Sequence, residues 1–190
     1  MTTRPIRRLL TTAILSVMLV GTAALPAQAD ERVCRGTIGA VTVDDIKVPK
    51  NATCTLNGTK VKGNVKVEAG AIVVAHGAKI DGNVQGENAK NVVVRAKTRV
   101  GGSVQVKQGV AASVLNSTVI GDIQYTSQRG YLRTNDNKVG GNIQVFSNKK
   151  GGAIYRNTVD GNLQCKENKP APKGAKNVVK GNKEGQCKKF

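Results

Sequence analysis

Val61-Lys-Gly-Asn-Val-Lys66 returns as Ile80-Asp-Gly-Asn-Val-Gln85, Val100-Gly-Gly-Ser-Val-Gln105 and Val119-Ile-Gly-Asp-Ile-Gln124. It continues as Val139-Gly-Gly-Asn-Ile-Gln144, Val159-Asp-Gly-Asn-Leu-Gln164 and a decayed copy, Val179-Lys-Gly-Asn-Lys-Glu184. The central glycines, from Gly63 to Gly181, recur every 19 or 20 residues. A fixed period of this size marks a repeat architecture. A single unit cannot bury its own apolar face, whereas stacked units bury a continuous one.

Aligned on the central glycine, the copies form columns. Two positions before it stand Val61, Ile80, Val100, Val119, Val139, Val159 and Val179. Two positions after it stand Val65, Val84, Val104, Ile123, Ile143 and Leu163. Four after it stand Val67, Val106, Tyr125, Val145 and Cys165, with Gly86 as the exception. β-Branched residues alternating with polar ones signal strands. The Gly-Asn step between them reads as a corner, because both residues tolerate positive φ. Looser apolar runs, such as Ala71–Val74 and Asn91–Val94, add one more short strand per repeat. This composition excludes a helical repeat, and the framework of a leucine-rich repeat is missing.

The expected fold is all-β, a single-stranded parallel β-helix (β-solenoid) of about seven coils of 19–20 residues with disulfide-stapled ends. Coils stack about 4.8 Å apart, which turns each column into a ladder. One ladder is Asn64, Asn83, Ser103, Asp122, Asn142, Asn162 and Asn182; another, facing solvent, is Lys66 followed by Gln85, Gln105, Gln124, Gln144 and Gln164. Gly39-Ala-Val-Thr-Val43 reads as a degenerate first coil, and Pro170 and Pro172 interrupt pairing near the other end.

Residues 1–29 read as a signal peptide. Arg4, Arg7 and Arg8 precede the apolar stretch Leu9–Leu25, and Ala27-Gln28-Ala29 forms an A-x-A cleavage site. Residues 30–57 then form the N-terminal cap and degenerate first coil, 58–165 the solenoid coils, and 166–190 the C-terminal cap and basic tail. Export makes the cysteines readable as disulfides. Cys34 and Cys54 are 20 residues apart and Cys165 and Cys187 are 22 apart. A separation of one period places each pair on stacked neighbours, within disulfide reach. A metal site has less support, since the chain has no CxxC and its one histidine, His76, lies far from both pairs.

The V-x-G-N-[VI]-x pattern at this period resembles that of short right-handed parallel β-helix proteins, and in style the bactofilin-type polymer-forming domains. With its leader and two terminal cysteine pairs, the chain looks like a group of secreted small β-helix proteins of high-GC Gram-positive bacteria. That likeness implies a fold but no activity. The bactofilin likeness covers only the repeats and departs in export, cysteine caps and strong positive charge.

Catalytic constellations are weak. Asp81 and Asp160 share a column but stand four coils apart, and Asp122, Asp136 and Glu87 occupy other columns. A polysaccharide lyase or hydrolase needs converging carboxylates or a carboxylate beside a base. His76 has no evident partner, and no G-x-S-x-G elbow occurs. The chain is therefore read as non-catalytic, without cofactor or metal. A lyase-type carbohydrate-active β-helix is the alternative.

The formal net charge of +18 is the functional hint. Three before the glycine stand Lys60, Lys79, Arg99, Thr118, Lys138 and Thr158, so four of six are basic. Stacked, Lys60, Lys79, Arg99 and Lys138 form a stripe that attracts polyanions. The scattered aromatics offer no platform for single-stranded nucleic acid, so no specific nucleic acid is expected. High charge also keeps an exposed β-rod soluble, which is the competing explanation. The expected protein is a structural or adhesive solenoid, secreted or cell-wall associated. Its partner is an anionic cell-wall polymer or acidic polysaccharide, and no membrane span remains after cleavage. Self-association into filaments and ice binding are minor alternatives; for ice, the flat face carries Gln rather than ranks of Thr.

Overall fold

The structure is a computed structural model that describes Met1 and residues 30–190. The segment read as a signal peptide lies, Met1 apart, outside the described residues. The described chain is a parallel β-solenoid of about eight turns, with three sheets of nine, eight and eight strands. Each turn contributes one strand to each sheet in the same order. A middle turn runs Val84–Glu87 in the first sheet, Asn91–Arg95 in the second and Arg99–Val100 in the third. Each pairs in parallel with its equivalents in the turns before and after, as with Val84 between Val65 and Val104. Gly39–Val43 does supply an early turn, since Thr42–Val43 pairs with Lys60–Val61.

The three apolar columns line one narrow interior. Val61, Val65, Ile80, Val100, Val104, Val119, Ile123, Ile143, Val159 and Leu163 are all fully buried. Alternation along each strand puts every second residue outside. Tyr125, in register with Val106 and Val145, is the largest fully buried side chain. Burial raises the pKa of its phenol, and its hydroxyl donates to the Arg133 carbonyl at 3.3 Å.

The central glycines are explained differently from the sequence expectation. None of the seven lies in the left-handed region. They are required by the closeness of the preceding turn: a Cβ on Gly82 would stand 2.5 Å from the Gly63 carbonyl oxygen and 2.7 Å from Asn64 Oδ1. That same Oδ1 accepts the Asn83 backbone N–H at 2.9 Å and its Nδ2 at 3.0 Å. Glycine and asparagine thus act as a pair across turns. The asparagine bridges to the next backbone, and the glycine leaves room for the bridge.

Positive φ occurs at the other two corners, mostly on residues other than glycine. Asn88, Gln108, Ser127, Ser147 and Glu167 take φ of 54° to 57° after the first strand of their turns. Asn116, Asp136, Arg156 and Lys176 take 45° to 61° after the second. Stacking holds these conformations. Asn88, for example, donates its N–H to the Lys107 carbonyl at 2.9 Å and accepts from Gly70 N at 2.9 Å.

The residue after each of these nine left-handed positions is buried, and from Asp136 onward it is asparagine. Asn137, Asn157 and Asn177 form one buried ladder, and Asn148 and Asn168 another. Asn157 Nδ2 donates to Asn177 Oδ1 at 2.8 Å and to the Thr134 carbonyl at 2.6 Å. Asn148 Nδ2 donates to Asn168 Oδ1 at 2.8 Å. Gln186 ends the second ladder, taking Asn168 N at 3.0 Å and returning Nε2 to the Asn168 carbonyl at 2.9 Å. Toward the N-terminus the same inward columns carry Ala71, Ala89, Thr59 and Ala78, which are also buried.

Two disulfides lie near the ends. Cys34–Cys54 and Cys165–Cys187 have Cα–Cα distances of 5.6 and 5.2 Å. Each closes one turn onto the next, as the spacing implied.

Candidate functional site: the basic column of the third sheet

The third-sheet strands are two residues long, with the second residue buried and the first facing out. Their outward residues stack in the order Lys60, Lys79, Arg99, Thr118, Lys138 and Thr158. Lys60, Lys79 and Arg99 therefore occupy three successive turns, while Lys138 lies beyond the Thr118 rung. All four basic side chains are exposed.

Carboxylates stand beside part of this column. Lys79 Nζ is 3.6 Å from Asp81 Oδ1. Lys62 pairs with Asp44 at 3.0 Å and Lys180 with Asp160 at 2.8 Å. Among the described residues Lys60, Arg99 and Lys138 make no ion pair. After Arg99 and Lys138 the next outward positions hold Gly101 and Gly140, and the exposed Asp136, two residues before Lys138, is bonded to Arg156.

The C-terminal lysines do not act as one tail. Lys183 Nζ donates to the Asn177 carbonyl at 2.8 Å and so closes the end of the first buried ladder. Lys166 lies 3.5 Å from Glu167, on a solvated surface.

The acidic residues weighed as catalytic are mostly engaged. Asp136 accepts Arg156 Nε at 2.6 Å and Nη2 at 2.8 Å, and this bidentate contact holds its carboxyl below the usual range. Asp122 Oδ1 accepts the Asn142 N–H at 2.6 Å. His76 is exposed, in register with Asn57 and Arg95. Among the described residues no group of three or more His, Cys, Asp or Glu is placed to hold a metal ion.

No protein-family model, no curated protein and no solved structure matches the chain.

The glycine-based alignment overlooks two features of the surface and interior. One is the pair of buried asparagine ladders, whose signal is asparagine at 137, 157 and 177 and at 148 and 168. The other is a groove on the first sheet around Gly86, which interrupts the column of Val67, Val106 and Tyr125. Among the described residues no helix is long and apolar enough to cross a membrane. The two disulfides suit an oxidising compartment.

Proposed function

We propose that this chain is an exported, non-catalytic structural or adhesive β-solenoid of the cell envelope or extracellular space. It contacts anionic polymers through Lys60, Lys79, Arg99 and Lys138. The observation that carries this reading is the stacking of three exposed cations on consecutive turns. Their rungs repeat about every 4.8 Å, a spacing suited to a linear polyanion. The strands beneath are fully paired, so the cations sit on a rigid ruler. The A-x-A motif and the disulfides support export.

Such contacts release counterions, so binding weakens steeply with salt. The test is retention on isolated cell-wall polyanion at low and high salt. One variant changes Lys60, Lys79, Arg99 and Lys138 to Gln. The control changes Lys166, Lys169, Lys188 and Lys189 to Gln and removes the same number of charges. Clearly greater loss in the first variant supports the column. Equal loss in both assigns the effect to overall charge, and absence of salt-sensitive binding by the unmodified protein overturns the reading.

A further inference from the structure

The outer face of the first sheet carries a groove of about 610 Å³, within the roughly 300–1,000 Å³ usual for ligand sites. It is centred on the strand Val84–Glu87. Gly86 points inward there, where its neighbours Val67 and Val106 carry side chains. Val92 Cγ2 stands 2.8 Å from where a Gly86 Cβ would be. The second sheet has filled the place of the missing side chain on the inward side, and the groove lies on the opposite, outward face of the same strand.

Outward-facing amides line the floor, and their ladder is broken at this point. Gln85 Nε2 donates to Gln105 Oε1 at 3.2 Å. The chain resumes only with Gln124, which donates to Gln144 at 3.0 Å, and Gln144, which donates to Gln164 at 2.9 Å. Among the described residues Gln105 Nε2 and Gln124 Oε1 have no protein partner. One donor and one acceptor thus face the groove from adjacent turns.

The rim is charged. Glu68 is occupied by Lys47 at 3.2 Å and by the Lys50 backbone N–H at 3.1 Å. Its hydrogen bond with Lys47 holds its pKa below the ordinary carboxylate value. Lys50, Lys66, Lys107 and Glu87 make no ion pair among the described residues. Three ammonium groups therefore stand around the groove with one carboxylate, Glu87, which is in register with Lys107 on the adjacent turn.

We infer that this groove is a binding site for a short stretch of acidic glycan, with ring hydroxyls on Gln105 and Gln124 and a carboxylate held by Lys66 and Lys107. The groove's strands are paired on both sides, so it offers no sheet edge to a peptide. It holds no aromatic side chain on which a nucleic-acid base could stack. Neutral amides repeated turn after turn suit a polymer with repeated hydroxyls, and the excess of cations suits an acidic one. The site lies on a different sheet from the Lys60 column, so either can fail alone.

The test is an NMR titration of the protein, following the side-chain amides of Gln85, Gln105 and Gln124. The probes are hyaluronan tetrasaccharide, neutral chitotetraose and tetraglutamate. The hyaluronan probe should shift these amides with 1:1 stoichiometry, ahead of chitotetraose, and tetraglutamate should leave them in place. The K66Q/K107Q double variant should raise Kd about tenfold, the loss expected when charge-assisted contacts are removed. Q105A should also weaken binding, while K60Q/K138Q should leave it unchanged. All of these side chains lie outside the core, so folding is retained in each variant. Equal binding of tetraglutamate, or wild-type affinity in the Lys66 and Lys107 variant, would overturn the inference. A result confined to the Lys60 face would overturn it while leaving the proposed function standing.

Discussion

Asn177 Oδ1 accepts two hydrogen bonds from Asn157, one from the backbone N–H at 3.0 Å and one from Nδ2 at 2.8 Å. One buried oxygen thus fixes both the main chain and the side chain of the turn before it. Asn137 is bonded to Asn157 in the same way, at 3.2 and 2.9 Å. A buried polar group is acceptable only when its partners are complete. Here each turn completes the partners of its neighbour.

Asn157→Ala should accordingly destabilise the protein by about 2–4 kcal/mol, since it strands buried groups of Asn137 and Thr134. Asn83→Ala, in the exposed ladder, should cost about 1 kcal/mol or less because water replaces the lost amide. Urea unfolding of both variants makes the comparison. Equal losses would show that the buried ladder is no more demanding than the exposed one.

Gly82→Ala should cost about 1–3 kcal/mol through overpacking against Gly63 and Asn64. Gly77, at φ 60°, is roomier: an added methyl there would meet only the Ala96 carbonyl oxygen, at 3.6 Å. Its replacement by Ala should cost about 1 kcal/mol, from backbone conformation alone. Replacing Asn64 by Gly in the Gly82→Ala background should recover part of the loss in the first case. No recovery would argue against the glycine–asparagine pairing.

Much of this was legible in the sequence for a physical reason: solenoid stacking converts a period into a contact. The columns of Val61, Val65 and Val67 are buried, the Lys60 column shares one sheet, and cysteines one period apart are bonded. The buried asparagines were not legible in the same way. Taken singly, Asn157 has the polarity of a corner residue. Its burial is tolerable only because Asn137 and Asn177 stand one turn away on either side. The groove was hidden because it is made by outward side chains of several turns, from Lys50 to Thr126, whose disposition around one strand no single column of the sequence displays.

Val104→Asp or Ile123→Asp should unfold or severely destabilise the protein, by more than about 4 kcal/mol, because each would put an unpaired charge into a narrow core. Gln105→Glu, one residue along and outward, should change stability by less than about 0.5 kcal/mol. Thermal melting of the three variants tests the inward and outward assignment. Similar melting temperatures would contradict it.

Loss of either disulfide should remove roughly 3 kcal/mol, the entropy of closing a loop of about 20 residues. A double Cys165→Ala, Cys187→Ala variant should also raise hydrogen exchange at Lys183–Gly185, the last strand of the first sheet. Unchanged exchange there would mean that Gln186 and Lys183 hold the end without the bond.

Asp136 titrates below its ordinary value because Arg156 bonds it. A carboxyl depressed in the folded state adds stability above its unfolded pKa, and loses it as pH falls through the folded pKa. The contribution should be below about 1 kcal/mol, since the pair is on the surface. Asp136→Asn should flatten this part of the acid stability profile. An unchanged profile would show that the contact is energetically silent.

The closure of the buried ladders by Gln186 and Lys183 has a consequence for the length of the molecule. Both ends are specialised, whereas the turns from Val119 to Val159 share one length and one strand register. The number of turns is therefore an editable quantity. Duplicating the 20 residues from Val139 to Thr158 would add one asparagine to each of the two buried ladders. The rod should lengthen by about 4.8 Å, still ending where Gln186 ends it, so that reach can be varied independently of what the ends and faces do.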